Sequence, residues 1–214
     1  MFTFEGGKIM ISDDFRNDDS NVKRLDTTRE YSLEEFFQYA GEERYELHDG
    51  YPVLMSPASA EHEGTVANLI AELVTSLRGG PCSVYGSNLA VVIPKNKIAK
   101  SSKPKSYCPD ITVLCDRSKI KDGKCYGAPD LVAEVLSASN SGFDFITKLE
   151  VYQALSVREY WIVDCSNFLL HKYVWDDNLY KFPVSYSLYD QVKSTIFESI
   201  EFPLNRLFEH IDKL

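Results

Sequence analysis

Two strand-like segments of this sequence each carry one carboxylate at a position where packing alone would favour an apolar residue. Residues 107–114 and 130–137 are rich in apolar and β-branched residues, yet they contain Asp110 and Glu134. Burying an ionised carboxylate without a partner costs several kcal/mol, so such charges need a compensating group. With Lys148 close behind them in the chain, the two carboxylates predict a divalent-cation site of the kind found in metal-dependent nucleases.

Alternation along a strand determines which of these groups can meet. Glu134 and Leu136 share one face, whereas Val135 points to the other. If the two segments pair, Asp110 and Glu134 can converge on one ion, and two carboxylates with water are a ligand set that Mg²⁺ accepts, with Mn²⁺ as the alternative. Such an ion would polarise a phosphodiester and stabilise the departing oxyanion.

A lysine beside the metal would orient water and neutralise developing charge. Leu136 occupies the position where a strand-borne lysine would lie, so Lys148 has to supply the amine from the helix that follows. Asp144 lies four residues before Lys148 on the same helix face. A solvent-exposed helix pair is the simpler interpretation of these two residues, and their position beside the carboxylates favours a functional one.

The charge distribution leaves the type of partner open. The net charge of −9 argues against a polyanion, but residues 95–124 contain nine basic residues and three acidic ones. Lys103 and Lys105 lie in this basic stretch and are candidate substrate-binding residues. Solvated lysine loops and contacts with nucleic acid, DNA above all, are both compatible with the pattern.

Composition indicates a globular protein of the cytoplasm. No apolar run approaches the roughly 20 residues needed to span a bilayer, and no signal-peptide pattern begins the chain. The five cysteines form no C-x-x-C pair, which favours reduced thiols over a zinc site. We expect no membrane partner.

The periodicity predicts a flexible arm over residues 1–28 and a single domain over 29–214. In the first half of the domain, Ser32 and Glu35 predict a capped helix ending at Ala40, and residues 44–55 predict a hairpin that turns at Asp49-Gly50. Ser59 predicts the start of a long helix that Gly79-Gly80 ends. Its apolar stripe consists of Val66, Leu69, Ile70, Leu73, Val74 and Leu77.

The second half predicts a mixed sheet. Strands are expected at 82–86 and 88–94, followed by the two carboxylate-bearing strands. A helix at 142–155 between strands at 130–137 and 159–164 is a crossover unit, which implies parallel pairing. Residues 168–175 and 179–184 predict an antiparallel hairpin, and a short amphipathic helix is expected from Leu204. The fold class is therefore α/β, with helices flanking a mixed sheet.

The order and spacing of several motifs resemble the bacterial restriction-endonuclease family of the Uma type, within the superfamily whose signature is PD-(D/E)xK. The resemblance extends over about residues 30–210. It rests on Tyr45-Glu46-Leu47-His48-Asp49-Gly50, His62, Pro109-Asp110, Glu134-Val135-Leu136-Ser137, Asp144, Lys148, Tyr152 and Glu159-Tyr160-Trp161-Ile162-Val163-Asp164. It implies a restriction-endonuclease-like core, a divalent-metal site and endonuclease activity on DNA, with a homodimer as one assembly that could cut two strands.

The resemblance also implies individual roles. Asp110 and Glu134 correspond to the metal carboxylates, the Val135 carbonyl to a further ligand, and Lys148 to a lysine that has migrated from the Leu136 position.

Two further site residues leave alternatives open. Glu46 corresponds to the family's acidic residue before the sheet, where it would complete the metal shell or position a water; a hairpin carboxylate paired with Arg44 or a lysine is an equal alternative. His62 would contact substrate or act as an acid, and a packing or capping role is equally compatible with its place in the first turns of a helix.

Two other functions fit the same sequence. A non-catalytic module with a nuclease fold could bind nucleic acid or a protein partner in a defence or mobile-element system, using the same basic loops. An interaction protein could instead use the aromatic residues of the C-terminal hairpin as a contact surface, although ordinary sheet packing also explains them. Those aromatic residues are Tyr173, Trp175, Tyr180 and Phe182.

Overall fold

The computed structural model describes residues 4–5, 8–9, 24–39, 41–94, 103–136 and 142–211, with side chains described outside 4–5, 8–9 and 142–145. Within these residues the α-helices are α1 (Leu33–Phe37), α2 (Ala60–Leu77) and α3 (Gly142–Leu155). The strands in chain order are β1 (Phe4–Glu5), β2 (Lys8–Ile9), β3 (Tyr45–His48), β4 (Tyr51–Leu54), β5 (Ser83–Gly86), β6 (Val91–Ile93), β7 (Lys105–Tyr107), β8 (Ile111–Leu114), β9 (Ile120–Lys121), β10 (Lys124–Tyr126), β11 (Leu131–Leu136), β12 (Glu159–Asp164), β13 (Leu169–Asp176), β14 (Leu179–Tyr180), β15 (Val184–Tyr186), β16 (Gln191–Lys193) and β17 (Glu201–Pro203). Single turns of 3₁₀-helix span Arg117–Lys119 and Leu204–Phe208.

Two large sheets organise these strands. The first has six strands in the order β4-β3-β7-β6-β10-β9. The second has the order β14-β13-β12-β11-β8-β5, with β15 also paired to β13. Both combine parallel and antiparallel pairs, so the mixed α/β class is confirmed. Since β7 belongs to the first sheet and β8 to the second, the short segment between them passes from one sheet to the other.

The β11-α3-β12 unit forms as the sequence predicts. β11 and β12 pair in parallel over six positions, from Leu131 with Glu159 to Leu136 with Asp164. The helix needed for a parallel crossover is α3. β8 pairs antiparallel on the other side of β11, which brings the two carboxylate-bearing segments together.

The predicted hairpin at residues 44–55 is also confirmed, as β3 and β4. Asp49 and Gly50 form its two-residue loop with φ angles of 49° and 85°, the left-handed conformations that a type I′ turn requires. Asn, Asp and Gly tolerate that conformation better than other residues, which is why the Asp-Gly pair marks the turn.

The second sheet separates two hydrophobic clusters, because the side chains of β11 alternate between its two faces. Leu131, Ala133 and Val135 pack with Leu69 and Leu73 of α2. On the other face, Val132 packs in a second cluster with residues of α3 that include Tyr152, Val151 and Leu155. The helix α2 begins after Ser59, whose hydroxyl accepts a hydrogen bond from the His62 amide, as predicted. Val74, expected in the apolar stripe, is 39% exposed at its margin.

Two local predictions are wrong and a third is confirmed in part. The first helix ends at Phe37 instead of Ala40, which lies outside the described residues; beyond Gln38 the chain tightens, and the Tyr39 amide donates to the Phe36 carbonyl, three residues back. The short C-terminal helix begins at Leu204 as predicted, but it is a 3₁₀ helix whose leucines pack in the core. Cys82 and Cys115 form a disulfide instead of remaining reduced, because the pairing of Ser83 with Leu114 places the two cysteines opposite each other.

Most of the proposed arm over residues 1–28 lies outside the described residues, and the arm remains a prediction. Of its described parts, β1 and β2 pair antiparallel, and the Arg24 guanidinium lies 3.0 Å from the Glu43 carboxylate. Among the described residues, no helix combines the length and hydropathy needed to cross a bilayer.

Candidate functional site

Asp110 lies in the segment that passes between the two sheets, one residue before β8. The ladder between β8 and β11 ends with Ile111 opposite Ala133, so the next backbone amide of β11 that faces this side, that of Val135, has no strand partner. Asp110 Oδ2 accepts a hydrogen bond from that amide at 2.8 Å. The carboxylate thus takes the place of a backbone acceptor and is fixed beside Glu134.

Glu134 lies almost fully buried on β11. Tyr152 donates its hydroxyl hydrogen bond to Glu134 Oε1 at 3.0 Å. Burial raises the pKa of this carboxyl well above its usual range, and the negative charges of Asp110 and Glu46 act in the same direction, whereas Lys148 opposes them. Glu134 therefore holds a proton more tightly than an exposed glutamate does.

The Lys148 amine lies between two carboxylates. Its Nζ is 3.3 Å from Glu134 Oε1 and 3.3 Å from Glu46 Oε1. Lys148 and Tyr152 are four residues apart on α3, so they lie on neighbouring turns of one helix face and both contact Glu134. The helix that follows β11 in the chain thus returns two side chains to that strand.

Glu46 completes the cluster from the first sheet. Its carboxylate accepts the Cys108 amide at 2.9 Å and lies 2.8 Å from His48 Nε2. Burial alone would raise the pKa of Glu46, but Lys148, His48 and the Cys108 amide outweigh burial and lower it to about 2. Glu46 is therefore ionised at neutral pH and fixes the lysine amine from one side.

His62 approaches Asp110 from the first turn of α2. Its Nε2 is 3.2 Å from Asp110 Oδ2, and its Nδ1 is 3.6 Å from the Glu63 carboxylate. The hydrogen bond with Asp110 raises the pKa of His62 above that of a free histidine, and burial only partly offsets it. A protonated imidazole therefore lies beside Asp110 over a wider pH range than usual.

A cleft of about 440 Å³ opens over these groups. Its floor carries the charged residues Glu46, His62, Asp110, Glu134 and Lys148. One wall is apolar and comes from the end of β4 and the loop before α2, with Val53, Leu54 and Met55. A substrate in the cleft would thus meet polar, charged groups below and an apolar surface beside it.

The donor set is suited to a hard divalent cation. The described contacts of Asp110 use Oδ2 and those of Glu134 use Oε1, which leaves Asp110 Oδ1 and Glu134 Oε2. Within the part of the chain that is described, no three His, Cys, Asp or Glu side chains form a metal-binding cluster. Two carboxylates with water and a backbone carbonyl are therefore the available ligands, and Mg²⁺ accepts such a set whereas structural zinc sites require more protein ligands.

The other predicted substrate-binding residues lie outside this cleft or beyond description. The side chain of Asp144 lies outside the described part of α3. Lys103 pairs with Glu30, and the amine of Lys105 is buried against Asp49. Neither lysine lines the cleft.

The sequence predicted no site role for two residues of the cleft: Arg44 entered only as an alternative partner of Glu46, and His48 only as part of a motif. Arg44 and His48 alternate with Glu46 along one side of the same strand segment, and all three line the cleft. The alternation of charged residues at 44, 46 and 48 is the signal that could have identified them, because side chains two apart on a strand point the same way. Tyr152 was noted only as part of the motif series, and its buried contact with Glu134 is visible only in the fold.

Comparison with known proteins agrees with this architecture. An uncharacterised protein of Synechocystis sp. is 31% identical over 124 residues, which are 56% of this chain and 61% of that protein, so the chain spans about three fifths of its length. A second uncharacterised Synechocystis protein is 26% identical over 143 residues, 64% of this chain and 77% of that protein.

A crystal structure from Anabaena variabilis shares the fold. It is described as a "putative nuclease belonging to DUF820", and it superposes with a TM-score of 0.67 at 16% identity, over 83% of this chain and 97% of that one. The sequence model of the Uma2 family, described as "Putative restriction endonuclease", matches residues 33–205. That match covers most of the chain, including both sheets and all the cleft's charged residues, and the chain therefore belongs to the Uma2 family.

Proposed function

We propose that the protein is a divalent-metal-dependent endonuclease that hydrolyses DNA phosphodiester bonds. The observation that carries the proposal is the buried Lys148 amine, which lies 3.3 Å from carboxylates on two different sheets and lines the same cleft as Asp110. A buried cluster of this kind is costly for stability, which favours a functional reason for it. Membership of the Uma2 family supports the same activity.

The ligands for the cation would be Asp110, Glu134 and the Val135 carbonyl. Mg²⁺ or Mn²⁺ bound there would polarise the phosphodiester and lower the pKa of the attacking water. The Val135 amide already orients Asp110, and the Tyr152 hydroxyl orients Glu134, so both carboxylates are positioned before the ion binds.

Lys148 would stabilise the negative charge that develops on the phosphate. Glu46 is ionised and holds one side of the amine, which limits the positions that Lys148 can take. Glu46 thus acts on the reaction through Lys148. His62, whose Nε2 lies 3.2 Å from Asp110 Oδ2, would hold that carboxylate in position or contact the substrate.

The decisive experiment is a nicking assay on supercoiled and branched DNA with MgCl₂ or MnCl₂. We expect Asp110→Ala, Glu134→Ala and Lys148→Ala each to lower the cleavage rate by about 100-fold or more, because the groups act as a unit. Lys181→Ala is the matched control, since it removes a lysine from an exposed ion pair with Asp176.

Cleavage that survives the Asp110 and Glu134 substitutions would contradict the proposal. Retained DNA binding with no cleavage under any of the metals would instead favour the non-catalytic nucleic-acid-binding module.

A further inference from the structure

Among the described residues of the cleft, Arg44 is the cation that no carboxylate neutralises. Its Nη2 donates a hydrogen bond to the Ser87 carbonyl at 2.6 Å, and the described residues give it no ion pair. In contrast, Lys148 lies between the carboxylates of two glutamates, and the His62 imidazole contacts the Asp110 carboxylate. A carbonyl orients the guanidinium without cancelling its charge, so Arg44 remains able to bind an anion.

A guanidinium held in this way is suited to a phosphate. Its planar fork of donors matches two phosphate oxygens, and it stays charged at every pH of interest. Ser87 lies just beyond β5, in the turn that leads to the first sheet, so the hydrogen bond from Arg44 ties the two sheets together at the cleft mouth. The anion would therefore lie at the entrance, beside the charged floor.

The apolar wall indicates what lies next to that phosphate. Val53, on the edge strand β4, is 43% exposed and pairs with Glu46, so its side chain lies on the cleft face of the first sheet. Met55, two residues further on, lies opposite Arg44 and also lines the cleft. Apolar walls of this kind contact the faces of bases that have left a duplex stack, whereas a paired and stacked base presents only its edges.

The described basic residues outside the cleft are poorly placed to contact the phosphates along a duplex. Duplex binding draws on several Lys and Arg contacts with phosphates. Lys103 and Lys105 are paired with carboxylates, and neither these two lysines nor Lys119 lines the cleft. Among the described residues, the cleft thus combines one available cation with an apolar wall, which favours a short unpaired segment.

We propose that the cleft binds one unpaired nucleotide, with its phosphate on Arg44 and its base against Val53 and Met55. The substrate class is then single-stranded or locally unpaired nucleic acid. The assignment of this nucleotide as a substrate rests on the proposed nuclease function, whereas its binding can be measured separately.

Fluorescence anisotropy tests the binding with Ca²⁺ in place of Mg²⁺ to suppress cleavage. The probes are a labelled single strand, the fully paired duplex of the same sequence, and a duplex with one bulged nucleotide. We expect the single strand and the bulged duplex to bind about tenfold or more tighter than the paired duplex.

Two substitutions separate the two contacts. Arg44→Ala should weaken single-strand binding about tenfold and reduce the slope of log K against log salt by about 0.7, the value for one phosphate contact on a single strand. Val53→Ser should weaken binding to the two unpaired probes and leave the salt slope unchanged, because it removes an apolar contact.

Arg206→Ala and Val184→Ser are the matched controls. Arg206 pairs with Glu72, Val184 is half exposed on β15, and neither lines the cleft. Both controls should bind as the parent does. Equal or tighter binding of the paired duplex by the parent, or parent affinity in Arg44→Ala and Val53→Ser, would overturn the proposal.

The same variants distinguish this inference from the nuclease proposal. If the preference for unpaired probes and its dependence on Arg44 are found but no metal supports cleavage, the nuclease proposal fails and the nucleotide subsite stands. If Asp110-dependent cleavage is found but paired duplex is bound and cut as well as single strands, the subsite fails and the nuclease proposal stands.

Discussion

The carboxyl group of Glu134 is buried, yet it would have to be ionised to bind a cation. Its raised pKa means that the folded protein binds the proton more tightly than the unfolded chain does. The stability that Glu134 contributes is therefore fully present below the pKa that its carboxyl has in the unfolded chain. It is lost as the pH rises through the higher pKa of the folded protein. A cation bound to the carboxylate would reverse that loss.

We expect Glu134→Gln to raise the stability of the metal-free protein at pH 9. The amide keeps an acceptor for the Tyr152 hydroxyl and has no charge to desolvate, so the gain should be on the order of 1–3 kcal/mol. Thermal unfolding in EDTA at pH 5 and pH 9 measures it, and at pH 5 the difference should shrink towards zero. Added Mg²⁺ should raise the Tm of the parent alone; equal pH profiles for parent and variant would contradict the assignment.

At the residue scale, the sequence reveals charges that are anomalous for their segment. Asp110 and Glu134 stand out because their neighbours are apolar and β-branched. The sequence does not reveal which charges find partners far along the chain. Lys105 is a basic residue in a basic stretch, and only the fold shows that Asp49 binds its amine.

At the scale of elements, the unit β11-α3-β12 carries much of the site. Glu134, Lys148 and Tyr152 all come from it, and its bounds were predictable because long periodic segments and parallel crossovers obey strong rules. Short elements were less predictable. The end of α1 depends on local hydrogen bonds at Gln38, and the 3₁₀ turn at Leu204–Phe208 depends on packing in the core.

The first turns of α2, which position His62, are held by His210 from the C-terminal segment. His210 Nε2 lies 2.9 Å from the Glu61 carbonyl, and a methyl group at Gly64 would overlap the His210 ring. Gly64 therefore leaves the space that the His210 ring occupies beside α2.

We expect Gly64→Ala to destabilise the protein by about 1 kcal/mol, because the overlap outweighs the gain in helix propensity. In a His210→Ala background the same change should stabilise by about 0.5–1 kcal/mol, since only the propensity gain remains. Urea denaturation of the two single variants and the double variant measures both values. The same sign in both backgrounds would show that His210 does not contact Gly64.

At the scale of the molecule, the mixed α/β class followed from the sequence and the division into two sheets did not. The segments at 82–86 and 88–94 adjoin in sequence, yet β5 and β6 belong to different sheets. Their partners, β8 and β7, are themselves neighbours in the chain. Sheet membership is thus decided by long-range pairing, which local periodicity does not encode.

The Cys82–Cys115 disulfide links β5 to β8, two paired strands of the second sheet. We expect the purified, denatured protein to show three free thiols without a reductant and five after reduction, from Cys108, Cys125 and Cys165 plus the released pair. Thiol titration with a chromogenic disulfide measures the numbers. Five thiols without reduction would contradict the disulfide, and a Cys82→Ser variant should show four in both conditions.

The chain passes from one sheet to the other at Cys108-Pro109-Asp110, so the cleft can form only when both sheets have folded. Glu46 reaches the cluster from the first sheet and Glu134 from the second, and the β7–β8 connection carries Asp110 between them. No fragment that contains one sheet can assemble the cluster. Since such non-local contacts form late in folding, the cleft should be among the last parts to become native, and its activity would report completed folding of the whole chain.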